Sequence, residues 1–238
     1  MWRIHRVDST GSTNVDVASI AISGEPEGYV LVADQQTRGK GRLGRSWESP
    51  PGSSLSVSVL LRPVDVPAGQ WPWLPLLVGV AAVEAVREAA ARDAHLKWPN
   101  DVLLDDAKLA GILVERIDSP DGPAAVAGIG MNITSTPAAG AASLDGTGAT
   151  RDDVLEALLG RIADWYRRWR ADPDGCGLAP TYREMCSTLG NEVRAELPNG
   201  SMIVGRAADV DASGGLIIAG DSGREVVSAG DVVHVRPT

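Results

Sequence analysis

At 238 residues, with 44% apolar residues and no low-complexity tract, the chain is long enough for one sizeable core and a small accessory domain, which excludes a disordered protein. Its formal net charge of -9 argues against general nucleic-acid binding or adhesion to an anionic membrane, since both draw on a broad excess of Lys and Arg. Two cysteines, Cys176 and Cys186, are too few for a disulfide framework or a structural zinc site, and no apolar stretch approaches a leader core or a membrane span, so the expected location is the cytoplasm, away from membranes.

Ser12, Thr13 and Asn14 precede VDVASIAIS. A hydroxyl just before an apolar-periodic run is a helix N-cap signal, which predicts a short helix over residues 13–22. YVLVA at 29–33 is a β-branched run that reads as a buried strand. SSLSVSVLL at 53–61 alternates apolar residues with serines, the period of a half-buried strand. From Trp73 to Ala91 the residues favour a long core helix, with Pro75 tolerated in its first turn. LKWPNDVLL, AKLAGILVER and AAVAGIGMNI are apolar segments separated by turn formers, which predicts a sheet of neighbouring strands.

Residues 134–149 are small and polar and read as a long surface loop. Thr150 with Asp153 resembles a capping box that opens the amphipathic helix DVLEALLGRIADWYRRWR. From about residue 191, short apolar runs alternate with Gly and Asn turns, as in a small antiparallel barrel or sandwich. A boundary near Gly190 follows, with one domain over 1–190 and a second over 191–238.

Chemistry concentrates in TRGKGRLGRSW, residues 37–47, which carries four cations and three glycines in an otherwise acidic chain. The glycines let backbone amides approach a ligand, and Arg38, Lys40, Arg42 and Arg45 bring charge, a combination suited to phosphate or carboxylate. Taken alone, the loop also reads as a solvated basic turn. It is not a P-loop, because Gly39-Lys40 is followed by Gly41 rather than Ser or Thr. KWPND at 97–101 and Lys108 set lysines beside a tight turn among apolar strands, where a charge needs a partner. Asp101 is there either a turn residue or a metal ligand. GIGMN at 128–132 brings two glycines and an asparagine to the end of a strand, which also reads simply as a strand with close packing above it.

STN at 12–14, QQTRGKGRLGRSW at 35–47, KWPND at 97–101, KLAGILVE at 108–115 and GIGMNI at 128–133 resemble, in order and spacing, the biotin protein ligases. The terminal run ending SAGDVVHVR resembles that family's last domain. The resemblance implies an α+β fold: a mixed, largely antiparallel sheet flanked by helices, of the class II synthetase type, with a small C-terminal SH3-like β-barrel. It implies an ATP-dependent, AMP-forming ligase in which the biotin carboxylate attacks the α-phosphate and releases pyrophosphate. Biotinyl-5'-AMP then gives its biotin to a lysine of a biotin carboxyl carrier domain, as in acetyl-CoA carboxylase.

By the same resemblance, Ser12, Thr13 and Gln36 would hydrogen-bond the ureido ring, which is neutral and needs donors and acceptors rather than charge. Gly39, Lys40, Gly41 and Arg42 would fold over the ligand, Trp47 would pack along the apolar chain of biotin, and Gly111 and Lys108 would complete the biotin site. Lys108 and Arg42 would be catalytic. Arg42, Arg45, Trp98, Asn100, Lys108 and Asn132 would bind ATP, with Asn132 reading the adenine, and Asp101 would hold Mg2+, the expected cofactor. Lys40 replaces an arginine of the family pattern and lacks the bidentate fork, which leaves its side-chain role open. STN already begins at residue 12, so the expected protein is a ligase without a DNA-binding repressor domain, as a monomer or weak homodimer. The alternatives are a lipoate or octanoate ligase of the same fold and a non-catalytic biotin-binding protein.

Overall fold

The structure, a computed structural model, describes residues 2–134, 140–197, 200–221, 223–228 and 231–234. Its first part runs β1 (Arg3–Thr10), α1 (Thr13–Ile22), β2 (Tyr29–Gln36), β3 (Gly39–Lys40), β4 (Ser46–Trp47), β5 (Ser54–Leu61), α2 (Leu74–Ala90), β6 (Ala94–Lys97), β7 (Asp101–Leu104), β8 (Ala107–Ser119), β9 (Gly122–Asn132), α3 (Arg151–Ala171) and α4 (Leu178–Met185). Seven of these strands form one sheet in the order β1-β2-β5-β9-β8-β7-β6. Only β1 and β2 run parallel; every other pair is antiparallel. The expected mixed, largely antiparallel sheet with flanking helices is therefore present.

Both faces of the sheet are covered. Val57 and Val59 join the main core with α2 and α3, while Leu31 and Leu60 join a smaller core under Val17 and Ala21 of α1. This corrects the expectation of a half-buried strand at 53–61, because all eight residues of β5 are buried. The serine face does not meet water; it meets α1. Ser58 Oγ lies 2.7 Å from Thr13 Oγ1 and 2.6 Å from Asn14 Oδ1, so the small hydroxyls exchange solvent for partners and remain satisfied.

The long helix begins one residue later than predicted, with Pro75 in its first turn, and is apolar nearly all round because it lies between the sheet and α3. The Thr150–Asp153 capping box is formed in both directions. Residues 135–139 of the long polar loop lie outside the described residues. Two elements carry no signal in the sequence reading. β1 is an edge strand of alternating charge exposed on both faces, held by its parallel ladder to β2, and α4 spans only eight residues with Pro180 near its start, too few turns for a clear period.

The C-terminal part comprises β10 (Glu192–Glu196), β11 (Met202–Val210), β12 (Leu216–Gly220), β13 (Gly223–Val227) and β14 (Asp231–His234). They form an antiparallel sheet in the order β13-β12-β11-β10-β14. The expected barrel is corrected to an open sheet among the described residues. There β13 pairs with β12 and β14 with β10, so no ladder joins the two edges. The turn between β11 and β12 clamps this sheet to the rest: Trp73 Nε1 donates to Ala212 O at 2.8 Å and Trp98 Nε1 to Gly214 O at 3.0 Å. Ala207, Val210, Leu216 and Ile218 extend the main core.

Candidate active site

The basic segment folds as a hairpin. Gly39 pairs with Trp47 and Lys40 with Ser46, and a 3-10 turn over Arg42–Gly44 makes the tip, closed by Gly41 N donating to Arg45 O at 2.7 Å. A Cβ on Gly39 would stand 2.3 Å from the Trp47 carbonyl oxygen, so the ladder admits no side chain there.

The hairpin lays Trp47 onto a stretch of sheet stripped of side chains. Gly111 of β8 pairs with Gly130 of β9, and a Cβ on Gly130 would come within 2.4 Å of the indole. Two residues earlier, Gly128 leaves room for Asn14, whose Oδ1 would be 2.1 Å from a Cβ. Glycines at the alternate positions 128 and 130 of β9, with Gly111 across the ladder, bare one stretch of the sheet face. The indole and Asn14 occupy it.

Between hairpin and sheet lies a cavity of about 110 Å³ with two chemically distinct ends. Ser12, Thr13, Asn14 and Gln36 line a neutral polar end; Lys40, Arg42, Arg45 and Lys108 line a cationic one, with Asn100 among them. At the neutral end Gln36 Oε1 accepts from Thr13 N at 2.9 Å. Ser12 is the N-cap residue of α1 by its backbone, yet its side chain makes no capping bond, so the hydroxyl signal that located the helix belongs instead to the cavity wall.

At the cationic end Lys108 Nζ meets Asp101 Oδ1 at 2.7 Å, with the lysine side chain 40% and the aspartate 23% exposed. The sequence expectation that a lysine among these strands needs a partner is met by that pair. Leu103 pairs with Lys108 but Val102 with Ala110, so Leu109 is an extra residue in β8, and the bulge re-aims Lys108 towards Asp101. Arg42 Nη1 donates to Asn100 Oδ1 at 3.2 Å, while Asn100 Nδ2 donates to Ile112 O at 2.9 Å. The Trp98-Pro99-Asn100 turn, with its cis Trp98–Pro99 bond, is thereby fastened to the neighbouring strand.

Four of the expected ligand residues, Gly39, Trp98, Asp101 and Asn132, are not among those that line this cavity. Asn132 is only 3% exposed and is not part of the cavity wall; its Nδ2 donates to Ala142 O at 2.9 Å, which ties the 140–144 segment to β9. Trp98 lines a neighbouring pocket of about 250 Å³ that shares Arg42 and Asn100 with the first. Among the described residues no group of three or more His, Cys, Asp and Glu side chains converges, so Asp101 belongs to no such cluster. Sequence reasoning overlooked Ser58 and Glu115 and took Asn14 only as the end of a motif. The close packing that GIGMN allows is present, with Trp47 over Gly130 and Asn14 over Gly128.

The profile of the Biotin/lipoate A/B protein ligase family matches residues 4–132, and that of the Biotin protein ligase C terminal domain matches residues 188–235. The chain belongs to the biotin/lipoate A/B protein ligase family. Within it, the biotin-[acetyl-CoA-carboxylase] ligase of Mycobacterium tuberculosis is 40% identical over 247 residues, covering 99% of this chain and 90% of the relative. The protein of the same description from Paracoccus denitrificans is 36% identical, with 94% of this chain and 97% of the relative covered. The solved biotin protein ligase of Aquifex aeolicus, in complex with biotin and ATP, superposes with a TM-score of 0.85 at 26% identity, covering 99% of this chain and all of that one.

Proposed function

We propose that this member of the biotin/lipoate ligase family is a biotin protein ligase. It activates biotin with ATP to biotinyl-5'-AMP and transfers the biotinyl group to a lysine of a biotin carboxyl carrier domain. The observation that carries the reading is the two-ended cavity, whose neutral polar end suits a cyclic urea and whose cationic end suits a carboxylate meeting a phosphate chain. The alkyl end of octanoate and the dithiolane ring of lipoate carry no N–H or C=O to engage the hydrogen-bonding set at the neutral end.

In this reading Ser12, Thr13 and Gln36 hold the ureido ring, and Trp47, flat against Gly130 and Gly111, forms the apolar wall for the thioether ring and chain. Gly39, Lys40 and Gly41 form the hairpin that covers the ligand. Lys108 and Arg42 face the reacting carboxylate and α-phosphate, where a cation at ~4 Å and an effective dielectric of ~20 contributes on the order of 4 kcal/mol of raw attraction. Arg45 and Asn100 serve the outer phosphates, and the pocket beside Trp98 takes the nucleoside, with Asn132 acting through the segment it ties down.

A carboxylate beside a phosphate path fits Mg2+, which binds through few carboxylates and keeps its waters. Asp101 would hold it, with Oδ1 shared with Lys108; when bound, the ion would neutralise phosphate charge. Residues 1–190 carry the ligase site, and residues 191–238 buttress it through the clamp on Trp98. No helix of the described residues is long and apolar enough to cross a membrane, and we place the protein in the cytoplasm, as a monomer or weak homodimer.

Incubation with ATP, Mg2+, biotin and a carrier domain is expected to add one biotinyl group to one lysine of the carrier, read by intact-protein mass. A carrier modified with lipoate or octanoate in place of biotin would overturn the assignment.

A further inference from the structure

Within the reading just given, on which this inference rests, the structure assigns Asn14, Ser58 and Glu115 a role that the ligand-lining residues alone do not explain. They fix which way the hydroxyl proton of Thr13 points, and so make Thr13 an acceptor, not a donor, towards the ligand.

The argument is a proton count along a buried chain. Asn14 Nδ2 donates to Leu113 O at 3.2 Å and to Glu115 Oε2 at 2.8 Å. Both partners are acceptors, so the amide cannot be turned over without setting its oxygen against two others. Asn14 Oδ1 is thereby held at 2.6 Å from Ser58 Oγ, and an amide oxygen only accepts. The single Ser58 proton goes to it.

Ser58 Oγ also lies 2.7 Å from Thr13 Oγ1, and with its own proton committed it can only accept there. Thr13 therefore donates to Ser58. Its 3.1 Å contact with Gln36 Oε1, an amide oxygen that also accepts from Thr13 N at 2.9 Å, is the longer of its two contacts and likewise directs the proton into the protein rather than towards the ligand. With its proton spent inward, Thr13 offers the cavity lone pairs alone. Gln36, whose oxygen faces the helix start, offers its Nε2 donors.

One acceptor beside one donor is the complement of an N–H next to a C=O, the edge of a cyclic urea. The inner members of the chain are shielded from water, Ser58 being 0%, Thr13 3% and Asn14 4% exposed, while Glu115 at its outer end is half-buried. Reversing it would leave Asn14 Oδ1 buried without a donor. Asn14, Ser58 and Glu115 are positioning residues here, and none needs to touch the ligand's reacting atoms. Gly128 belongs to the same device, because any side chain at that position would displace Asn14.

The test is ligand discrimination, which a purely structural role would leave alone. Dissociation constants are measured by calorimetry for biotin and for its two carbamate analogues, in which one or other ureido N–H is replaced by a ring oxygen. The wild-type chain is expected to bind one analogue at least roughly tenfold more weakly than biotin, the loss that follows from an unsatisfied buried pair. Ser58→Ala and Asn14→Ala each remove what commits the Thr13 proton to Ser58, leaving only the longer contact with Gln36 Oε1 to compete with the ligand for it. In both variants the ratio of the two constants is expected to fall to about threefold or less, even where both constants rise.

Thermal melting identifies a variant that fails to fold, and the other then carries the test. A ratio unchanged from wild type in the folded variants would overturn the proton chain while leaving biotin as the ligand. Failure of the wild-type chain to bind biotin at all would overturn the functional reading itself.

Discussion

Replacing Lys108 by alanine is expected to slow biotin-dependent exchange of pyrophosphate into ATP by roughly 100-fold or more, with little change in melting temperature. The two halves of that expectation come from the same ion pair. With side chains 40% and 23% exposed, Lys108 and Asp101 form a pair that water already screens; such pairs contribute about 0–1 kcal/mol to folding. At the reacting centre the same ammonium faces charge that builds on the nonbridging oxygens, and its removal leaves the Asp101 carboxylate beside the phosphates with no counter-charge from Lys108. Lys108→Arg is expected to recover only part of the rate, because a planar guanidinium does not replace a compact point charge at a bulged strand position. Exchange at the wild-type rate in Lys108→Ala would remove the lysine from the chemistry.

Gly130→Ala is expected to weaken biotin binding by about 100-fold, a loss of ~2.7 kcal/mol, while the sheet stays folded. The added methyl would sit 2.4 Å from Trp47 Cε2, and the three atoms nearest to that position all belong to the indole. Contact between carbons at rest is about 3.5–4.0 Å, so the ring must lift. Trp47 is paired to Gly39, and lifting the ring shifts the hairpin that bounds the cavity. Trp47→Ala removes the obstacle at the cost of the apolar wall. If the clash is the cause, adding Gly130→Ala to Trp47→Ala changes binding by less than about threefold, the non-additivity expected of residues in contact. Additive losses would mean that Gly130 acts by another route.

The elements that the sequence announced are those whose burial follows one regular period. The capping box of α3 forms by a local rule that tertiary contacts do not override, while α1 starts at Thr13 as expected although the Ser12 hydroxyl makes no cap bond. β5 was located correctly but given one solvated face, because alternation with serine looks the same whether the serines meet water or the start of a helix. That distinction is made by α1 and by Thr13 and Asn14, residues 45 and 44 positions away from Ser58.

The candidate site was legible in a similar way. Motif residues from five separate segments line the cavity, which no single segment could have foretold. What the motifs did not convey is the order of contact: Asn132 ties down the 140–144 segment, Trp98 is anchored to the C-terminal sheet, and Asn14 faces inward to Glu115. Each of those roles depends on which atom of a polar side chain meets which partner, and residue identity leaves that open.

The most direct test of the two-ended cavity is pyrophosphate exchange into ATP, with Mg2+, in the presence of biotin, lipoate or octanoate in turn. Exchange that depends on biotin, and is absent with either acyl acid, is the predicted result. Exchange driven by lipoate or octanoate, or none with any of the three acids, would contradict it.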